Sequence, residues 1–132
     1  NGYLSDQRIV NRGTPELTKG FVKFRNDVRA AYSKAVHSGL RYGLGTDGNH
    51  GGFWYELETL VSFDVPPLKA LQAATTEAAC MCGVDDKVGS LEAGKFADIL
   101  VVAGDPLATI TDIRKVKAVY KGGKLIDNVS LW

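Results

Sequence analysis

At 132 residues the chain is long enough for one modest domain and too short for two substantial ones. With 45% hydrophobic and 23% charged residues it is not a disordered segment, and a net charge of +1 without a basic run gives a nucleic-acid partner no electrostatic support. No apolar stretch approaches the roughly 20 residues of a membrane helix, and no signal peptide is read, so a cytoplasmic location is expected.

The chain begins at Asn1 rather than Met, which reads as a processed product, an excised piece or a fragment of a longer gene product. Residues 1–13 are polar, lack clear periodicity and read as a loop. Thr14-Pro15 then predicts a helix start, with Thr as N-cap, Pro at the first helical position and Glu16 behind it. Phe21, Phe24, Val28, Tyr32 and Ala35 follow at helical spacing as one apolar stripe, and Gly39 ends the helix. Leu40 to Leu44 is short enough for a strand and leads into a glycine-rich loop through Gly52. Phe53 to Phe63 predicts a second helix. Asp64 with Pro66-Pro67 is read as opening a third, with Leu68, Leu71, Ala74 and Ala78 on one face and a stop at Gly83.

Beyond Gly83 the pattern changes. Val88 to Leu91, Asp98 to Val102 and Val116 to Tyr120 read as short strands, and Gly122-Gly123 as the turn of a hairpin returning through Leu125-Ile126. Asp105-Pro106 to about Ile113 reads as a turn or a short helix. The division expected is residues 1–84, mixed α/β, followed by a β-rich tail over 85–132.

Gly43, Gly45 and Gly48 match G-x-G-x-x-G, with Asp64 downstream, and so imitate a dinucleotide fingerprint. Two physical objections oppose that reading. The helix should begin within the glycine turn so that its amides meet the pyrophosphate, yet the loop runs on through Asn49, His50, Gly51 and Gly52. Asp47 would also set a carboxylate beside a phosphate.

A carboxylate just past a buried strand, on a glycine-rich loop, is where a barrel enzyme places a catalytic or metal-binding group. Asp47 suits that use, since it can bind a divalent ion through one oxygen and accept a proton through the other. It could also cap its own loop by bonding the local backbone.

Other candidates are weaker. Glu56 and Glu58 diverge on a helix and cannot act as a paired acid and base. Ser5, Ser33 and Ser38 have no G-x-S-x-G setting. Cys80 and Cys82, the only cysteines, are too close for an ordinary disulfide in a helix and read as small packing residues. Trp54 and Tyr55 read as packing or pocket wall.

The stretch Tyr42-Gly43-Leu44-Gly45-Thr46-Asp47 is similar to the end of the eighth barrel strand in the amidohydrolase superfamily. Glu56 to Val61 and Pro67 to Thr75 resemble that family's next two helices. More specific is Val88-Gly89-Ser90-Leu91-Glu92-Ala93-Gly94-Lys95-Phe96-Ala97-Asp98-Ile99-Leu100-Val101-Val102. With Gly104-Asp105-Pro106-Leu107 and Val119-Tyr120-Lys121-Gly122-Gly123-Lys124, it resembles the part returning to a small β-sandwich. The similarity is greatest to the imidazolonepropionase-like and Xaa-Pro dipeptidase-like branch.

The resemblance implies an α/β fold: the C-terminal piece of a (β/α)8 barrel plus strands of a β-sandwich assembled from both chain ends. It implies one or two divalent ions, commonly zinc, activating a water that attacks an amide or related carbonyl. On that template Asp47 binds metal, takes the water's proton and returns it to the leaving nitrogen. His50, on the same loop, would contact an amide or peptide substrate, or would be a solvated loop residue. The family also needs a His-x-His pair on the first strand, a Lys or Glu on the fourth, and histidines on the fifth and sixth. None can be matched here, since the only histidines are His50 and His37, and His37 is read as a structural residue near a helix end. One ligand does not make a catalytic zinc site, so the isolated chain is expected to be inactive and to associate with a missing N-terminal portion or another copy. The alternative is a non-catalytic binding or assembly module derived from the same fold.

Overall fold

A computed structural model of the chain describes residues 14–45 and 52–126. The chain divides into two compact units, residues 1–40 and 41–132.

Among the described residues of the first unit, the helix α1 (Pro15–Val36) follows the capping chemistry expected of it. The Thr14 side chain accepts from the Leu17 amide, Pro15 fills the first turn, and Lys34 sits in the last turn, where it complements the helix dipole. His37 is the C-cap, its Nδ1 donating to the Ser33 carbonyl at 2.8 Å, and Gly39 follows with φ of 80°. The helix buries no residue, and Phe21, Phe24 and Tyr32 of its apolar stripe all stand more than half exposed.

The second unit begins with an extended run, residues 41–45, which forms no strand ladder among the described residues. The expected strand is thus a strand without neighbours: pairing defines a strand, and the Leu44 amide donates instead to the Ala73 carbonyl at 2.8 Å. Three helices follow, α2 (Phe53–Val61), α3 (Pro67–Ala74) and α4 (Thr76–Met81). Buried apolar side chains are concentrated here: Leu57, Leu60, Phe63, Val65, Ala70, Ala73 and Ala79.

Asp64 does not open α3 as expected. It closes α2, as a left-handed residue (φ 63°) inside a Schellman-type end in which the Asp64 amide donates to Val61 and the Val65 amide to Leu60. A short polar side chain tolerates that backbone better than most, and Pro66 then serves as N-cap with Pro67 in the first turn.

The alanine-rich helix also differs from expectation, breaking at Thr75 (φ −126°, ψ −88°) instead of running unbroken to Gly83. The Thr75 and Thr76 hydroxyls donate back to the Leu71 and Gln72 carbonyls, the local alternative that makes threonine a poor helix interior residue. The break leaves the Ala73 carbonyl to Leu44. The stop at Gly83 is as expected: Gly83 (φ 67°) donates to Cys80 and Val84 to Ala79, a second Schellman-type end.

Val88 to Leu91, expected as a strand, is a bent, irregular run. Gly89 sits at φ 94°, and the Val88 amide is spent on the Val84 carbonyl. The tail then builds a three-stranded antiparallel sheet in the order β1 (Ile99–Val102), β2 (Val116–Lys121), β3 (Lys124–Leu125). Ile99 faces Tyr120 and Leu100 faces Val119, with an irregularity between Val101 and Val102. Gly122 and Gly123, both at positive φ (56° and 79°), make the tight turn that the sequence predicts. A 3-10 helix (Ile110–Arg114) fills the β1–β2 connection and buries Ile110.

Candidate functional site

Asp47 and His50 lie outside the described residues, so the site is built from the segments on either side of them. On the leading side, residues 41–45 are docked against the α3–α4 break. Gly43 is required there, because a Cβ would come within 2.9 Å of the Ala78 Cα and 3.2 Å of the Met81 sulfur. The Leu44–Ala73 hydrogen bond fixes the register, and the Arg41 guanidinium donates to Glu77 at 2.9 Å. That pairing raises the Arg41 pKa, and partial burial raises that of Tyr42. Among the described residues this run takes its support from helices and not from a sheet.

On the trailing side Gly52 is the N-cap of α2, its carbonyl accepting from Tyr55. Trp54 and Tyr55 meet edge to face, 6.0 Å between ring centres and 89° between planes. The Arg114 guanidinium, from the end of the 3-10 helix, lies 3.7 Å from the centre of the Trp54 ring. It also makes a two-pronged pair with Glu58, with Nε–Oε1 at 2.6 Å and a second contact from the terminal nitrogen to Oε2. Trp54 and Glu58 are four residues apart and share one face of α2, so a single guanidinium grips both. A stacked cation of this kind contributes about 0.5–2 kcal/mol depending on its desolvation.

Trp54, read from sequence as packing or pocket wall, packs against Tyr55 and Arg114, and Glu58, read as unable to pair with Glu56 as acid and base, is bound to Arg114. Sequence alone misses Arg114, since nothing local to Arg114 points to a partner 56 residues away at Glu58. The helix starts at Phe53, beyond the glycine turn, and Asp64 stands between two helices. Both facts oppose the dinucleotide reading. Cys80 is half-buried and Cys82 exposed, and both thiols are free.

Two other carboxylates are held in well-formed cradles, but their work is structural. Asp112 accepts from the Asp105 amide at 3.0 Å and pairs with Lys115, and Gly104 (φ 104°) makes room for it: a Cβ there would lie 2.1 Å from Asp112 Oδ2. Asp98 takes Lys121 and the Gly122 amide, so it clamps the β2–β3 turn. The hydrogen bonds from Lys115 and from Lys121 are the main reasons that Asp112 and Asp98 have lowered pKa values. Among the described residues no group of three or more His, Cys, Asp and Glu side chains could hold a metal ion. An apolar cleft of about 620 Å³ lies between α3–α4 and β1, lined by side chains such as Leu71, Ala78, Val88, Phe96 and Leu100. Of its polar lining groups, Asp98 is already engaged by Lys121 and the Gly122 amide. No described helix is long and apolar enough to cross a membrane.

Comparison with known proteins fits this geometry. The imidazolonepropionase of Caldanaerobacter subterraneus subsp. tengcongensis is 36% identical over 92 residues, covering 65% of this chain and 22% of that protein. The imidazolonepropionase of Desulfotalea psychrophila is 29% identical over 111 residues, covering 75% of this chain and 27% of its own. Among solved structures, a Xaa-Pro dipeptidase with methionine bound in its active site matches with a TM-score of 0.76 and 34% identity, over 85% of this chain and 29% of that one. Ochratoxinase from A. niger matches with a TM-score of 0.73 and 29% identity, over 86% and 28%. The chain thus spans between about a fifth and a third of the length of such relatives. The Amidohydrolase family pattern itself matches residues 14–126, a span that takes in every described residue, and the chain belongs to the amidohydrolase family.

Proposed function

We propose that this chain is the C-terminal part of a metal-dependent amidohydrolase that cleaves an amide or related C–N bond, in a dipeptide, an N-acyl amino acid or a cyclic amide. The observation that carries the reading is the family match over residues 14–126 in a chain far shorter than its relatives. Residues 1–84 would then contribute the last barrel strand with its helices, and 85–132 the C-terminal strands of a composite sandwich. The exposed state of the sheet supports this. β1 is an all-apolar edge strand whose Leu100 and Val101 are 49% and 40% exposed, the surface of a layer that lacks its cover.

Asp47 offers a hard carboxylate donor two residues beyond the docked segment 41–45 in sequence. His37 has its Nδ1 committed to a helix carbonyl. The residues fit a metal site as one ligand of several, the rest coming from the missing N-terminal portion or from another copy. Zinc, the ion we favour, would acidify a water and polarise the substrate carbonyl. Asp47 would hold the ion, accept a proton from the attacking water and pass it to the departing nitrogen, a role for which one carboxylate has two oxygens. His50 would face the substrate from the same loop.

The test is hydrolysis by the full-length protein that carries this chain, against a panel of Xaa-Pro dipeptides, N-acyl amino acids and cyclic amides. Asp47→Asn should lower kcat by about 10²–10⁴-fold, the usual worth of a general base. Full activity in that variant would sink the assignment.

A further inference from the structure

We propose that the 3-10 helix (Ile110–Arg114) is the joint that holds the sheet onto the helical layer, and that Arg114 is its latch, gripping α2 through Glu58 and Trp54. This role is independent of the chemistry assigned to Asp47. Among the described residues, the 3-10 helix makes substantial contact with both α2 and β1, and no α-helix makes comparable contact with a strand. Elsewhere the two layers stand apart: the apolar cleft of about 620 Å³ separates α3 and α4 from β1, with Ile113 of the 3-10 helix in its lining. The sheet is thus joined to the helices at one place and open to them at another, so the joint sets the width of the cleft.

The joint is fastened differently on its two sides. Towards the sheet the bonds are local. The Ala103 amide, just past β1, donates to the Lys115 carbonyl at 2.7 Å, and the Asp112 carboxylate accepts from the Asp105 amide at 3.0 Å while pairing with Lys115. Towards the helices the fastening is by side chain. The Arg114 guanidinium lies 3.7 Å from the centre of the Trp54 ring, and its Nε donates to Glu58 Oε1 at 2.6 Å while a terminal nitrogen meets Oε2. Trp54 and Glu58 are one turn apart on α2, so one rigid fork sets both the height and the rotation of that helix against the joint. A guanidinium can lie flat on an indole and still present two N–H groups to a carboxylate, whereas an ammonium does only one of these well. Glu58 is 18% exposed, so the pair is partly sheltered from the screening that weakens most surface ion pairs, and losing Arg114 would leave a covered carboxylate without its partner.

The experiment is amide hydrogen exchange of the full-length protein that carries this chain, read by mass spectrometry in three regions: α2, residues 103–115, and β2 with β3. Arg114→Gln should speed exchange over residues 103–115 about 10–100-fold, the worth of hydrogen bonds to a charged group, while α2 and β2 keep nearly the parental rate. Arg114→Lys should fall in between, since it keeps the charge but not the fork, and Glu58→Gln should reproduce the local pattern from the other side of the pair. A substitution that merely destabilises the fold would speed all three regions together. Lys121→Gln, which removes an ion pair within the sheet, should leave residues 103–115 at the parental rate. Should Arg114→Gln fail to fold, Arg114→Lys and Glu58→Gln carry the test. Parental exchange over residues 103–115 in the variants that fold, equal acceleration in all three regions, or the same local pattern in Lys121→Gln would overturn the proposal.

Discussion

The helical stretch from Phe53 to Met81 and the sheet from Ile99 to Leu125 belong to the same compact unit, but they meet water in opposite ways. The helices and their connections bury Leu57, Leu60, Phe63, Val65, Ala70, Ala73 and Ala79, whereas β1, β2 and β3 bury no residue. Yet β1 is Ile-Leu-Val-Val, a sequence suited to a strand covered on both faces. The difference teaches that burial here tracks the availability of a partner and not the hydrophobicity of the segment. The helices close on one another. On the function proposed above, the sheet would be closed by another part of the protein.

Substitutions should break or sharpen that contrast. The largest effect is expected for Leu60→Ala in the helical part, a loss of about 2–5 kcal/mol in chemical denaturation, because Leu60 is 5% exposed and leaves a cavity. Leu100→Ala in β1 should cost the isolated chain much less, under about 1 kcal/mol, and regain a core-like cost in the full-length protein. Equal losses in the isolated chain would erase the contrast.

A smaller, opposite effect is expected at Asp64. Its left-handed backbone (φ 63°) suits glycine, so Asp64→Gly should stabilise the helical part by about 0.5–1 kcal/mol, read as a raised denaturation midpoint. A drop would mean that the Asp64 side chain does more than tolerate the turn.

Smallest is the acid response of the sheet. Lys121 and the Gly122 amide lower the Asp98 pKa below its usual 3.8, so Asp98 stabilises the fold above that value. The contribution fades as the pH falls through the lowered value. Asp98 is solvent-accessible, so the loss should be slight. Asp98→Asn should flatten the stability curve below about pH 4, and an unchanged curve would show that the clamp is not formed.

How far these regions were legible follows from what each signal depends on. Capping and turn chemistry is local, so Thr14-Pro15, Gly39, Gly83 and Gly122-Gly123 all mark real ends and turns. Signals that need context misled. Val88 to Leu91 has strand-like composition, but Gly89 takes a positive φ and presses so close to Ala79 that a Cβ would lie 2.7 Å away. The Thr75-Thr76 pair sits in an alanine-rich run that reads as one helix, and only the hydroxyl back-bonds show why it breaks. Asp64 beside two prolines reads as a helix opener because caps at both ends draw on the same residue types. In the candidate site, the docking of residues 41–45 has its signal in Gly43, which sequence alone reads as part of a G-x-G-x-x-G imitation. The Arg114 grip has no such signal, because it joins side chains that no periodicity connects.

Asp47 is proposed above as one ligand of a metal site whose other ligands lie outside this chain. Zinc content of the purified 132-residue chain, measured beside that of the full-length protein after equal dialysis, tests this most directly. The prediction is no tightly bound zinc in the chain and one or two equivalents in the full-length protein, lost or reduced in Asp47→Asn. Stoichiometric, tightly held zinc in the isolated chain would contradict it.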